Sequence, residues 1–228
     1  YSPRAIVVFT AHWETDPQMI SDVAYYGTIH DFGGFPPELY RMQYPAQGDA
    51  ATAARIADLL KEAGVPFDVD RYRGLDHGAW VPLKLIYPEA TVPVVQMSVN
   101  PWAPPAEQYR IGQALAPLRR EGVMILASGG TIHNFRTIRW DDPPEADAWA
   151  VAFDDWLLER IAGWDLPALF DYEQQAPGAR LAVPPGGNEH FIPLFYALGA
   201  ADDQRTVREL HRSYRYGNLS HALWQFGG

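Results

Sequence analysis

The residues best placed to do chemistry in this sequence are five histidines. His12, His30, His77, His133 and His190 each lie in or beside a segment dense in glycine, proline or aromatic residues. Two of them directly follow apolar runs with the character of buried strands. Ala5-Ile6-Val7-Val8-Phe9-Thr10 leads into Ala11-His12-Trp13, and Val123-Met124-Ile125-Leu126-Ala127-Ser128 leads into Gly129-Gly130-Thr131-Ile132-His133-Asn134. In open α/β sheets, ligands and catalytic groups gather just beyond the carboxyl ends of the strands. Imidazoles delivered there from distant parts of one chain suit a mononuclear metal site, or a metal site with a base beside it. The chain has seven histidines and no cysteine. Disulfides, thiolate-held zinc, iron–sulfur clusters and thiol nucleophiles are thereby excluded, and any metal must be held by histidine, carboxylate or water.

The neighbours of each histidine say how it could be used. His30 stands in Ile29-His30-Asp31-Phe32-Gly33-Gly34-Phe35-Pro36, a segment that shapes backbone rather than fills a core; it reads as a pocket wall or lid, or as a plain turn with His30 paired to Asp31. His77 follows Asp76, a candidate helix cap, and an imidazole at a helix N-terminus tends to stay neutral and able to donate to a substrate. Ser128-Gly129-Gly130 lacks the Gly-x-Ser-x-Gly pattern of a nucleophile elbow, so its glycines read better as room for backbone approach near His133. In Gly187-Asn188-Glu189-His190-Phe191, either Glu189 or His190 could be a ligand. His211, in an Arg/Glu-rich stretch that reads as helical, and His221, in the last strand, are expected to lie outside the site.

The elements that must position these groups alternate. Strand-like runs fall at 6–10, 23–26, 67–70, 92–99, 123–128 and 219–226, with helical patterns between them. The helices are expected over 49–63, with Asp49 as N-cap, over 106–121 and over 146–162. This order predicts an α/β fold: a single domain with a central, mostly parallel sheet flanked by helices on both faces. The length of 228 residues fits one domain. A net charge of -10 without a basic block argues against nucleic acid as a partner. No apolar run approaches the ~18 residues of a membrane span, so a cytoplasmic location is the default expectation.

Taken in order, several segments resemble one known family. They are Ala11-His12-Trp13, His30 to Pro36, Tyr44-Pro45-Ala46, Asp76-His77-Gly78-Ala79-Trp80 with Tyr87-Pro88, Val94 to Ser98, Ser128-Gly129-Gly130 with His133-Asn134, and Glu189 to Leu194. This series is similar to the class III (LigB-type) extradiol ring-cleavage dioxygenases, in the 4,5-DOPA extradiol dioxygenase-like branch, and spans nearly the whole chain. The resemblance implies His12 and His190 as metal ligands, His133 as acid/base and potential third ligand, and His77 as a histidine facing substrate and dioxygen. It implies Fe(II) for activity, with Zn(II) able to fill the same site, and a catechol and dioxygen as reactants. His30, Trp13, Phe32, Phe35 and Trp80 are the expected pocket residues. The family also carries a Gly-His-Gly-Ser-Pro segment on an earlier strand, and the chain that opens at Tyr1 is expected to lack that strand. A zinc-dependent hydrolase and a non-catalytic binding protein on the same fold are the competing readings.

Overall fold

The computed structural model describes residues 2–227. Its centre is a five-stranded sheet ordered β3-β2-β4-β1-β5. The strands are β1 (Ala5–Glu14), β2 (Gln18–Ser21), β3 (Phe67–Asp70), β4 (Val94–Val99) and β5 (Val123–Ser128). Strand β1 runs parallel to both β4 and β5, and β2 parallel to β3; only β2 against β4 is antiparallel. The expected mostly parallel sheet is therefore what forms.

Alternation along β1 sorts two cores. Val7 and Phe9 face a large cluster, with Val95 and Met97 beside them, that is covered by α1 (Ala50–Glu62), α3 (Pro105–Leu115), α5 (Ala148–Ala162) and α9 (Pro193–Ala200). Ile6 and Val8 face a smaller cluster under α2 (His77–Ile86) together with Tyr26, Tyr44 and Leu75. Each such buried aliphatic side chain contributes on the order of 1.5–3 kcal/mol. A strand filled on both faces is thus a rigid platform for whatever lies at its end. The short helices α4 (Pro117–Arg120), α6 (Leu166–Phe170), α7 (Tyr172–Gln175) and α8 (Ala179–Ala182) complete the cover.

Helix starts follow the sequence signals. Asp49 accepts a hydrogen bond from the Thr52 N–H and Asp76 from the Ala79 N–H, each capping its helix as its position suggests. Other expectations are corrected. Residues 23–26 form no strand; the strand there is Gln18–Ser21, and only Tyr25 makes an isolated bridge, to Gln47. The single helix expected over 106–121 is two, because Pro117 has no N–H to continue the ladder. The last strand is divided into β8 (Leu219–Ser220) and β9 (Leu223–Phe226), which pair with β7 (Tyr214–Arg215) and β6 (Val207–His211) outside the main sheet. His211 therefore ends a strand rather than lying in a helix. His221 falls between two strands rather than within one. Among the described residues no helix is long and apolar enough to cross a membrane.

Candidate functional site

The site lies at the carboxyl ends of β1 and its neighbour β5. Pairing of β1 with β4 is regular to Phe9 and resumes only at Glu14, so the intervening residues leave the regular ladder. Such irregularities re-aim side chains at strand ends, and His12 sits within this one. The Thr10 hydroxyl donates to the Asp76 carboxylate at 2.6 Å and accepts from the His12 N–H at 3.2 Å. Asp76 also receives a guanidinium N–H from Arg73, which donates in turn to the His12 carbonyl at 3.0 Å. The strand end is thus tied to the first turn of α2. Gly78 permits this closeness: a Cβ there would fall 2.6 Å from the Thr10 hydroxyl and 2.9 Å from the His12 ring.

His190 arrives from the turn before α9 and docks on the end of β5. The Gly130 N–H donates to the His190 carbonyl at 2.7 Å. A Cβ on Gly129 would stand 2.1 Å from that same oxygen, so only glycine allows the approach. The expected backbone approach is therefore made at Gly129 alone, and to His190 rather than beside His133.

These two anchors bring His12 and His190 face to edge, with Nε2 of one 3.2 Å from Nε2 of the other. Each ring has its other nitrogen against a carboxylate. Nδ1 of His190 lies 2.9 Å from Glu189, and Nδ1 of His12 lies 3.3 Å from Asp31. With Nδ1 protonated, two Nε2 lone pairs confront one another, an arrangement that calls for a cation between them. Two nitrogen ligands at about 2.1 Å from an ion are about 3.0 Å apart at a right angle and about 3.4 Å apart at a tetrahedral angle. The observed 3.2 Å lies between these limits. The donor set therefore fits a metal ion.

His133 stacks flat on His190, ring centres 3.6 Å apart and planes 10° from parallel. A metal lies near the plane of an imidazole that binds it. An ion on the His190 lone pair would thus stand roughly 3 Å off the His133 plane, a poor position for a ligand. His133, Glu189 and His190 do bring one donor atom each within 4.8 Å, as do His12, Asp31 and His77. Burial, with help from His190, pushes the His133 imidazolium down to about 4, so the ring is neutral near pH 7. His12 is lowered for the same reason, with His77 and His190 adding to the effect. Burial and the nearby Glu189 push Glu14 up.

A cavity of about 500 Å³ opens over these rings, lined by His12, His133 and His190 with Glu14, Asn134, Phe135, Arg136, Pro184, Gly187 and Glu189. Sequence reading did not single out Glu14, Phe135 or Arg136 as site residues. The signal for the latter two was their place just after His133, where Asn134 folds the chain back by accepting from the Arg136 and Thr137 N–H groups.

The other expected pocket residues divide. His77 tilts against His12 at 4.0 Å between ring centres, and Phe32 packs edge-on against His77 at 5.6 Å. Phe35, 55% exposed, meets Phe32 but neither His12 nor His190. Trp80 is buried and donates its indole N–H to the Ile29 carbonyl, so it supports the loop rather than lining the cavity. His30 does not serve as a substitute ligand: its Nε2 is 2.8 Å from the Met42 carbonyl. Trp13 is also misassigned by the sequence reading. It alternates away from His12 on β1 and is buried beneath the guanidinium of Arg73, 5.1 Å from its ring centre.

Comparison with known proteins agrees with this geometry. Residues 1–224 match the family model described as the catalytic LigB subunit of aromatic ring-opening dioxygenase. The chain is 43% identical to a 4,5-DOPA dioxygenase extradiol of Beta vulgaris, over 98% of this chain and 83% of that protein. It is 38% identical to a 4,5-DOPA dioxygenase extradiol of Escherichia coli (strain K12), over 99% and 83% of the respective chains. A crystal structure of an uncharacterized protein from Escherichia coli K12 superposes with a TM-score of 0.84 at 33% identity, covering all of this chain (100%) and 87% of that one.

Proposed function

The chain belongs to the LigB family of aromatic ring-opening dioxygenases, which are metal-dependent, and from that premise we propose an extradiol enzyme that opens a substituted catechol with dioxygen at the His12–His190 centre. The observation that carries this reading is the confrontation of the two Nε2 atoms at 3.2 Å beneath an open cavity. His12 and His190 would hold the ion, and Fe(II) is the ion that suits the reaction, because zinc is redox-inert. When bound, the metal acidifies the catechol hydroxyls and brings substrate and dioxygen together. Both oxygen atoms enter the product, the carbon–carbon bond beside the diol breaks, and a ring-opened semialdehyde acid results.

The chain's own groups supply the rest. His133, neutral near pH 7 and set over the cavity beside His190, accepts a catechol hydroxyl proton and can return it when the ring opens. His77 packs against His12 on one side and Phe32 on the other, and would face substrate from beside His12. Substrate class follows from the rim. Arg136 is the one Lys or Arg among the residues that line the cavity, and Glu14 lines it too. A catechol with a carboxylate substituent suits Arg136, and an ammonium group on that substituent suits Glu14. A DOPA-like amino acid has both.

The test is anaerobic loading with Fe(II), followed by oxygen-electrode and absorbance measurements across a catechol panel. Stoichiometric oxygen uptake with a yellow ring-opened product is expected, with carboxylate-bearing catechols preferred. Full iron occupancy with no uptake on any catechol would refute the reading.

A further inference from the structure

Asp31 belongs to no helix or strand, yet its carboxylate reaches both histidines on the α2 side of the site. Oδ1 accepts the His77 backbone N–H at 2.8 Å and lies 2.9 Å from the same residue's Nδ1. Oδ2 lies 3.3 Å from Nδ1 of His12. One carboxylate thus spans two imidazoles whose ring centres are 4.0 Å apart, and it meets the same nitrogen, Nδ1, on each.

The placement of Asp31 is enforced from several sides. The loop before it is stitched down by the Ile29 N–H donating to the Leu75 carbonyl and by the Trp80 indole donating to the Ile29 carbonyl. After it, Phe32 wedges against His77 and Trp80. The bond from the His77 N–H uses one of the free donors in the first turn of α2, where the helix dipole favours an anion. An ionised carboxylate can only accept, and this one faces two rings that could each carry a proton on either nitrogen.

We propose that Asp31 is a positioning residue that holds His12 and His77 as Nδ1–H tautomers, so that both rings present Nε2 lone pairs to the reaction side. The proposal rests on the metal-site reading above for its consequence, but not for its geometry. On the His12 side the arrangement is parallel: Glu189 hydrogen-bonds Nδ1 of His190 at 2.9 Å, and Asp31 stands against Nδ1 of His12 at the longer distance of 3.3 Å. Carboxylates that accept from a ligand histidine fix its tautomer and raise its basicity, and their loss typically costs about 10- to 100-fold in metal affinity or activity. On the His77 side the same carboxylate couples the ring's orientation to that of the ligand. An amide at the same position cannot serve both rings. Its single oxygen satisfies one Nδ1–H, and its NH2 faces the other ring, favouring the wrong tautomer there.

The experiment uses 15N-histidine-labelled protein without metal at a fixed pH near 8. Long-range proton–nitrogen correlation spectra report the tautomer of each ring directly. Wild type is expected to show Nδ1–H at both His12 and His77; Nε2–H at His12 would overturn the proposal without need of any variant. Asp31→Asn is expected to move at least one ring toward Nε2–H and to weaken Zn(II) binding, read by chelator competition, about 10- to 100-fold. Unchanged tautomers and unchanged Zn(II) affinity in a folded Asp31→Asn protein would also overturn it. So would Zn(II) binding that survives His190→Ala but vanishes in Asp31→Asn, because Asp31 would then be a ligand itself. Tautomers that depend on Asp31 in a wild-type protein that opens no catechol would support the positioning role while refuting the enzyme reading.

Discussion

Gly129→Ala tests how closely the site depends on backbone approach. A Cβ at this position would lie 2.1 Å from the His190 carbonyl oxygen and 2.9 Å from Cγ of Pro193. Contacts below 3.0 Å are not tolerated, so the His190 peptide must retreat by about 3.0 − 2.1 = 0.9 Å. The obstacle is a main-chain carbonyl, with a proline ring beside it, and no rotamer change relieves it. The retreat stretches the 2.7 Å bond from the Gly130 N–H to about 3.6 Å, beyond hydrogen-bond range. Losing that bond costs about 1 kcal/mol, and overpacking adds on the order of 1–3 kcal/mol. The larger effect is on chemistry. His190 carries the Nε2 that faces His12, and a misplacement of about 1 Å can cost on the order of 100-fold in rate, or about 2.7 kcal/mol. Oxygen uptake with a saturating catechol measures the rate, chelator competition measures metal affinity, and thermal melting separates both from unfolding. Gly27→Ala, where an added Cβ meets nothing within 4 Å, is the matched control and should behave as wild type. A Gly129→Ala protein with wild-type melting, metal affinity and turnover would refute the argument that His190 is positioned through this contact.

The remaining predictions concern individual side chains. His12→Ala and His190→Ala should each empty the metal site by elemental analysis, whereas His133→Ala should keep the metal and lose about 100- to 10,000-fold in turnover; equal metal content in all three would contradict the division of roles. Arg136→Ala should raise KM about fivefold for a carboxylate-bearing catechol, the ~1 kcal/mol of an exposed ion pair, and leave an unsubstituted catechol unaffected. The metal-free protein should lose stability as pH falls from about 6.5 toward 4, because His133 stays neutral in the fold to about 4 whereas the unfolded chain takes up the proton near 6.5. Urea midpoints across that range should fall less steeply for His133→Asn than for wild type, and parallel profiles would count against a buried neutral imidazole.

Much of the fold and site was readable because strong local signals coincided with the elements that carry them. Continuous apolar character over Ile6–Phe9 and Val123–Leu126 marks two paired strands, β1 filled on both faces and β5 half-buried at the sheet edge, and parallel strands of this kind end where ligands collect. Asp49 and Asp76 announced their helices through cap chemistry that needs only a few residues. The errors share a different cause. Gln18–Ser21 is a short strand whose place is fixed by pairing with β3 and β4, not by its own pattern. The segment around His211 has helix-like composition but is held as a strand by β9.

The site divides along the same line. His12, His77, His133 and His190 stand out in the sequence because each lies close to the end of an apolar strand or the start of a helix. Trp13 could not be placed from its neighbours, because one step along a strand reverses the face, and the irregularity between Phe9 and Glu14 is invisible in the letters. Asp31 was hidden for a further reason. Beside His30 in sequence, it reads as the partner of that histidine, yet His30 turns to the Met42 carbonyl and Asp31 reaches instead to His77 and His12. Sequence proximity favoured the wrong pair. The deciding factor is that His77 offers both a helix-terminal N–H and a ring nitrogen to one carboxylate, a two-point contact that a neighbour in an extended loop cannot match. The carboxylate that reaches two imidazoles is thus the least legible group of the site, because its partners are chosen by tertiary geometry, whereas the histidines are announced by the strands and turns that present them.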